Sequence, residues 1–399
     1  MSWEKVKLQK IIHKPISGEW GNEGNSIKII RTTNFTNNGR LNLHEVVTRD
    51  IALTKVNKKK LVKGDTIIEK SGGSPTQPVG RVVYFNEDDL YLCNNFTSVI
   101  RPKENVNGKY LFWFLFNNHI SKKTLKYQNK TTGIINLKLE NYINEVEIPL
   151  PPLPIQEKIA AILDKADELR CKDQELLKKY DELAQAIFID MFGDPVKNEK
   201  GWDVKRLEEV CSKIGSGSTP RGGKEAYKSN GISLIRSLNI HQNEFKYKDL
   251  AFIDDEQAYL LRNVIVEPND VLFNITGASV CRTTIVPDQV LPARVNQHVA
   301  ILRLNQLQLK SDYFVRLLNN QNMNRLLYGI ATQGGATREA ITKEQLEKLE
   351  IPIPPHHLQE TFAKKIELIN QLKEQANAEK SEELFQSLLQ RAFKGELVR

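Results

Sequence analysis

The stretch IPLPPLPIQEKIA occupies residues 148–160, and IPIPPHHLQETFA occupies residues 351–363. Each proline-rich phrase ends a β-like run and opens a long charged segment without proline. Proline fixes φ, removes a backbone donor and restricts the residue before it, so the phrase stops a strand and stiffens the exit into a helix. The two phrases lie 203 residues apart, and other matches keep the same order. WEKVKLQKI (3–11) answers WDVKRLEEV (202–210), and IKIIRTTNF (27–35) answers ISLIRSLNI (232–240). LVKGDTIIEKSGG (61–73) answers IVEPNDVLFNITGA (265–278). LCNNFTSVIRP (92–102) answers ARVNQHVAILR (293–303), which sets Asn95 against Asn296, and Phe192 answers Phe393. A repeat this long excludes a solenoid of small units and means two similar domains, each followed by the same kind of connector.

The 399 residues suffice for two or three domains, and 40% hydrophobic with 27% charged residues describes an ordinary globular chain. No apolar run reaches the length of a membrane span, and the first residues, MSWEKVKLQKII, lack a secretory pattern, so the expected location is cytoplasmic. The four cysteines (Cys93, Cys171, Cys211, Cys281) are too scattered for a disulfide scaffold or a zinc knuckle. A formal charge of +8 raises the odds of a polyanion partner without deciding it.

The runs IKIIRTT, DTIIEK, GRVVYF and FTSVIRP read as strands, and KYLFWFLFNNHI (109–120) as a buried helix. In the second copy, helical spacing covers SDYFVRLLNNQNMNRLL (311–327). The fold class expected is therefore α/β with α+β character. After the prolines the period changes. Ile159, Ile162, Ala166, Leu169, Leu176, Tyr180, Leu183 and Ile187 recur at steps of 3 and 4, with Asp173 as the charged exception. This predicts a helix over 155–190, and a second, less regular seam predicts one over 358–393. Each helix either folds back on its own domain or pairs antiparallel with the other as a spacer. The spacer is expected, because so long a helix cannot lie wholly on one domain.

A globular domain, a P-L-P-P-x-x-x-Q-[EK] phrase and a long helix, all repeated, resemble the specificity subunit of type I restriction–modification systems. MFGD (191–194) and AFKGELV (392–398) resemble the ends of that family's two helices. His356 and His357 depart from the phrase, but Gln359 and Glu360 keep the places of Gln156 and Glu157. The resemblance implies a target recognition domain over 1–154, a spacer helix over 155–192, a second recognition domain over 193–357 and a C-terminal spacer helix over 358–399. It implies a chain without catalysis that reads one split site on double-stranded DNA. Its partners would be two adenine methyltransferase subunits and two ATP-dependent restriction subunits, and those partners would carry S-adenosylmethionine, ATP and Mg²⁺.

The chemistry-bearing motifs are consistent with a non-catalytic role. The [NDS]-P-P-[YF] motif of an amino methyltransferase is missing, because Leu153 and His356 follow the double prolines. GSGSTPRGGKEA (215–226) fails as a phosphate loop, with Ser218 and Glu225 at its defining positions. No HExxH or clustered His/Cys set occurs. A scaffold protein with duplicated domains, or a fused DNA-modifying enzyme, is the alternative.

Base reading needs Arg, Lys, Asn or Gln at groove depth, whereas phosphate positioning needs Arg, Lys, Ser or Thr. Arg31 with Asn34, and Arg236 with Asn239, match between the copies, and either phosphate contact or structural hydrogen bonding explains them. Specificity is expected where the copies differ. LKYQNKTTG (125–133) offers Lys126, Gln128, Lys130 and Thr132, and LYGIATQGGATRE (327–339) offers Thr332, Gln333, Thr337 and Arg338, both read as loops. KSGGSPTQPVGR (70–81) adds Lys70, Ser71, Gln77 and Arg81, and NITGASVCR (274–282) adds Asn274, Thr276, Ser279 and Arg282. Because the copies differ there, the expected target is asymmetric.

Overall fold

The computed structural model describes residues 3–131, 134–333, 339–376 and 378–398. Two compact units emerge: Met1–Gln174 with Asn377–Arg399, and Glu175–Ala376. Each holds one globular α/β domain, the start of the helix that follows that domain and the end of the other domain's helix.

In the first unit, strands Ile16–Ser17, Thr97–Ile100, Thr66–Glu69 and Val82–Tyr84 form one antiparallel sheet in that order. A second sheet joins Val47–Asp50, Asn22–Ile30 and Tyr91–Cys93, the last pair parallel. In the second unit, Cys211–Ser216, Val299–Leu304, Val271–Asn274 and Thr283–Ile285 make one sheet. Ala251–Ile253, Ile232–Ile235, Ala293–Val295 and Ile265–Val266 make the other, again with one parallel pair, Ile232–Ile235 beside Ala293–Val295. The ladders agree residue for residue: Ile67 faces Val99, and Leu272 faces Ile301. The duplication read from the sequence is thus a duplication of hydrogen-bond register.

The structure shifts one sequence match by a single residue. Asn94, not Asn95, answers Asn296: the Asn94 N–H donates to the Ile30 carbonyl at 2.9 Å and the Asn296 N–H to the Ile235 carbonyl at 3.1 Å. Two neighbouring asparagines in the first copy made the register ambiguous in sequence.

The proline phrase closes each domain. Pro149 pairs with Lys5, and Pro352 with Val204, on the strand that opens the domain. The Pro149 carbonyl accepts from Tyr110 Oη at 2.7 Å, and the Pro352 carbonyl from Tyr313 Oη at 2.9 Å. Gln156 donates to the Pro151 carbonyl at 2.8 Å and accepts from the Asn107 N–H at 2.9 Å. Gln359 repeats this with Pro354 at 2.8 Å and the Lys310 N–H at 2.8 Å. Both glutamines are buried, so the motif is a clamp fixing the helix start to its domain.

The central helix runs Leu153–Phe192. The C-terminal connector, expected as one helix, is two: His356–Gln375 and Ala378–Ala392. The interruption falls between Leu372 and Leu384, where no large apolar side chain rewards continuation. The helices pair antiparallel. In the second unit Asp181 meets Lys373, and Phe188 and Phe192 pack on Phe362 with ring centroids 5.8 and 5.3 Å apart. In the first, Arg170 meets Glu382 at 3.1 Å and lies 3.8 Å above the Phe385 ring.

The predicted seam is only partly the buried face. Ile159, Leu163, Ala184, Phe188 and Phe192 are buried, whereas Leu169, Leu176 and Leu183 are 46%, 38% and 46% exposed. The buried face also carries Asp167 and Arg170, and Arg40 reaches Asp167 at 2.6 Å. A heptad count alone does not tell an intramolecular stripe from an outward-facing one. SDYFVRLLNNQNMNRLL also splits, into Ser311–Leu318 and Gln321–Thr332, because Asn320 caps the second helix.

Candidate nucleic-acid interface

The loops after Ile30 and Ile235 are built alike. Asn34 Oδ1 accepts from the Arg31 N–H at 2.9 Å, and its Nδ2 donates to the carbonyls of Asn42 and Glu45, both at 3.0 Å. Asn239 Oδ1 accepts from the Arg236 N–H at 3.1 Å, and its Nδ2 donates to Lys246 and Lys248 at 2.9 and 3.3 Å. Both asparagines are buried, and their amides hold the loop that presents the arginine. The arginines differ from them: Nε of Arg31 and of Arg236 is buried without a partner. Arg236 lies 5.2 Å above the Tyr227 ring and donates to the Asp249 carbonyl.

A cleft of about 350 Å³ opens beside Arg31, walled by Trp20, Thr32, Thr33, Asn94, Asn95 and Phe96. The sequence reading missed Trp20 and the 94–96 turn. The signal was present in Asn-Asn-Phe, a polar turn ending in a large aromatic between two strands. Lys70 and Ser71 border this turn, since both their N–H groups donate to the Phe96 carbonyl, at 2.9 and 3.2 Å. Lys70 Nζ donates to Ser17 Oγ at 2.6 Å, and burial lowers its pKa. Ser71 Oγ bonds Asn136 at 2.5 Å.

Arg81 and Arg282 occupy one backbone position. Glu69 N–H bonds the Arg81 carbonyl and Asn274 N–H bonds the Arg282 carbonyl, both at 2.9 Å. Arg81 grips Glu69 with both nitrogens, at 2.8 and 2.9 Å, and donates to the Thr32 carbonyl at 3.2 Å. In the second domain Asn274 replaces Glu69, and its Nδ2 donates directly to the matching carbonyl, that of Ser237, at 3.0 Å. Arg282 therefore has no carboxylate to grip at the place where Arg81 finds Glu69.

Of the other candidates, Gln77 is exposed in a turn closed by the Ser74 carbonyl. Lys126 is exposed, lies 4.6 Å above the Tyr127 ring, and has its pKa raised by hydrogen bonding to that phenol. Gln128 donates to the Val79 carbonyl at 3.1 Å. The predicted 125–133 loop contains a strand, Gln128–Thr131, paired antiparallel with Ile134–Leu137, which pairs in turn with Ser71–Gly73. The backbone of Lys130 belongs to it, while Thr132 lies outside the described residues. The second predicted loop is helical as far as Thr332, whose Oγ1 donates to the Tyr328 carbonyl at 3.0 Å. Gln333 caps that helix, and Thr337 and Arg338 lie outside the described residues. Thr276 bonds His298 Nδ1 at 2.6 Å, and Ser279 closes a 3₁₀ turn. His298, read as a strand residue, lies in the turn before Val299–Leu304.

No group of three or more His, Cys, Asp or Glu able to hold a metal ion occurs among the described residues. No helix among them is long and apolar enough to cross a membrane.

Two copies of one arginine-presenting loop, each on a domain clamped to a long helix, define a duplicated recognition module. The type I restriction modification DNA specificity domain matches twice, over residues 2–179 and 199–384, and the chain belongs to that family. It is 29% identical over 311 residues to the MjaIX type I restriction enzyme specificity subunit of Methanocaldococcus jannaschii, covering 71% of this chain and 67% of that one. The crystal structure of a type I restriction–modification S subunit from M. genitalium superposes with a TM-score of 0.62 at 13% identity, covering 98% of this chain and 96% of that one. A chain solved in a study of complex assembly and conformational transition of the type I R-M system gives a TM-score of 0.51 at 20% identity, covering 99% and 98%. By this membership the protein is a non-catalytic subunit that recognises DNA sequence in a type I restriction–modification complex.

Proposed function

We propose that each globular domain reads one half of an asymmetric bipartite site on double-stranded DNA, and that the helices set the interval between the halves. The carrying observation is the repeated loop: Asn34 and Asn239 brace it alike, whereas the residues around it differ, with Glu69 facing Asn274 across the comparison. A shared frame with unlike walls suits two readers of unlike sequence. The arginines at both frames suit phosphate positioning, which fixes register without choosing bases.

The exposed leucines of the central helix support docking of the modification subunits. Leu169, Leu176 and Leu183 recur at a seven-residue interval and face away from the core. In this proposal two adenine methyltransferase subunits cover such faces and two ATP-dependent restriction subunits complete the assembly. S-adenosylmethionine, ATP and Mg²⁺ then belong to those partners, and this chain supplies binding and orientation alone.

The test is co-expression with the methyltransferase encoded beside the gene, in a host without other adenine methylation, followed by single-molecule mapping of modified adenines. One split motif, with unlike halves and methylated on both strands, is expected. Failure of the two proteins to associate would sink the proposal and favour a duplicated scaffold. Methylation without sequence preference by an associated pair would contradict it as well.

A further inference from the structure

The cleft beside Arg31 holds hydrogen-bonding capacity that the protein leaves unmet. Asn94 is 4% exposed, and its Oδ1 has no partner, nor has Arg31 Nε on the same wall. A buried acceptor and a buried donor left open cost free energy unless a guest completes them. The rim is aromatic: Trp20 lines the cleft, and Phe96 is 43% exposed at its edge. Asn95, next to Phe96 in the turn, is exposed.

The same turn recurs in the second domain with other tips. Thr97 N–H bonds the Asn94 carbonyl at 3.0 Å, and Val299 N–H bonds the Asn296 carbonyl at 3.2 Å, so Asn95–Phe96 and Gln297–His298 occupy matching positions. Here the turn is braced internally. Asn296 Oδ1 accepts from the His298 N–H at 3.1 Å, Gln297 Nε2 lies 3.0 Å from His298 Nε2, and His298 Nδ1 lies 2.6 Å from Thr276 Oγ1. With Gln297 donating, His298 holds the amide in one orientation and leaves its carbonyl oxygen and second N–H available.

We propose that Asn95 and Phe96 in the first domain, and Gln297 in the second, are specificity-determining residues that touch base edges. Asparagine and glutamine amides match the donor–acceptor pair of adenine, and an exposed phenylalanine matches a thymine methyl or a base face. One backbone frame presents different side chains at the same two positions, which is what reading two different half-sites requires. The inference rests on the reading of each domain as a half-site reader and names where in the domain that reading occurs.

The experiment uses the full chain co-expressed with its methyltransferase and compares adenine-methylation maps for Asn95→Ala, Phe96→Ala and Gln297→Ala. The first two should relax one half of the motif at one or two positions, with about a ten-fold loss of discrimination there, and leave the other half intact. Gln297→Ala should do the reverse. A variant that assembles but no longer methylates is tested by selecting bound duplexes from a random library, where a changed preference in the same half supports the assignment. If the unsubstituted chain gives a motif and all three variants give the same motif at the same frequency, the assignment is overturned while the half-site reading stands. If the unsubstituted chain gives no motif, the underlying reading falls and takes this one with it.

Discussion

Arg81 donates to both oxygens of Glu69, whereas Arg282, at the matching backbone position, is bonded through its own carbonyl to Asn274, a neutral residue. The Glu69–Arg81 pair is almost wholly buried, and removing one partner from such a pair costs about 3 kcal/mol. Arg81→Ala should therefore lower the thermal midpoint of the first unit, and Arg282→Ala should not. Arg282→Ala should instead weaken DNA binding by the assembled complex and reduce its salt slope by about one ion. Equal midpoints for the two variants would remove the distinction. His119 gives a pH prediction. Burial, with Arg81 nearby, lowers its pKa from 6.5 to about 4, and its Nδ1 is buried without a partner. It stays neutral in the fold while the unfolded chain takes up a proton below pH 6.5, so stability is full above 6.5 and falls as pH drops toward 4. Thermal melts across that window should show the loss, and His119→Phe should flatten it. An unchanged slope would count against His119 as the source.

At the scale of elements, the proline phrase explains more than an exit direction. Gln156 and Gln359 each bridge a proline carbonyl and the backbone before the domain helix, so Gln156→Ala leaves buried groups unsatisfied and should cost about 2 kcal/mol. Glu157→Ala, at an exposed neighbour, is the control that should leave the midpoint unchanged. The outward leucines make a second prediction: Leu176→Glu with Leu183→Glu should abolish co-purification with the methyltransferase and leave helical circular dichroism unchanged. Retained association would remove these residues from the docking face. The phrase, the duplication and the long helices were legible in sequence, because proline spacing and 3-to-4 periodicity are local signals. Which face of the helix is buried was not, since Leu169 and Leu163 are equally apolar and only the partner surface separates them. The cleft was only half legible. Arg31 and Asn34 lay inside a matched phrase, but Trp20 and Phe96 join them through sheet pairing between distant strands, which no local pattern records. The pairing of Arg81 was illegible for the same reason: its partner Glu69 is twelve residues away and meets it across a strand pair.

For the molecule as a whole, the ends of the helices return to the domains in an alternating way. Phe393 packs on Tyr110 with ring centroids 5.4 Å apart, and Phe192 packs on Tyr313 at 4.7 Å, so the end of the C-terminal helix serves the first domain and the end of the central helix serves the second. Each unit is thereby completed by a segment from the other half of the sequence, as in a homodimer written into one chain. Such an arrangement lets the two domains carry different readers on one frame, which is the central claim. The most direct measurement exchanges residues 200–355 for the corresponding segment of a family member with a different target and maps methylated adenines with the same methyltransferase. The account predicts a hybrid motif in which one half changes, the other half is retained and the interval between them is unaltered. A motif changed in both halves, or in neither, would contradict it.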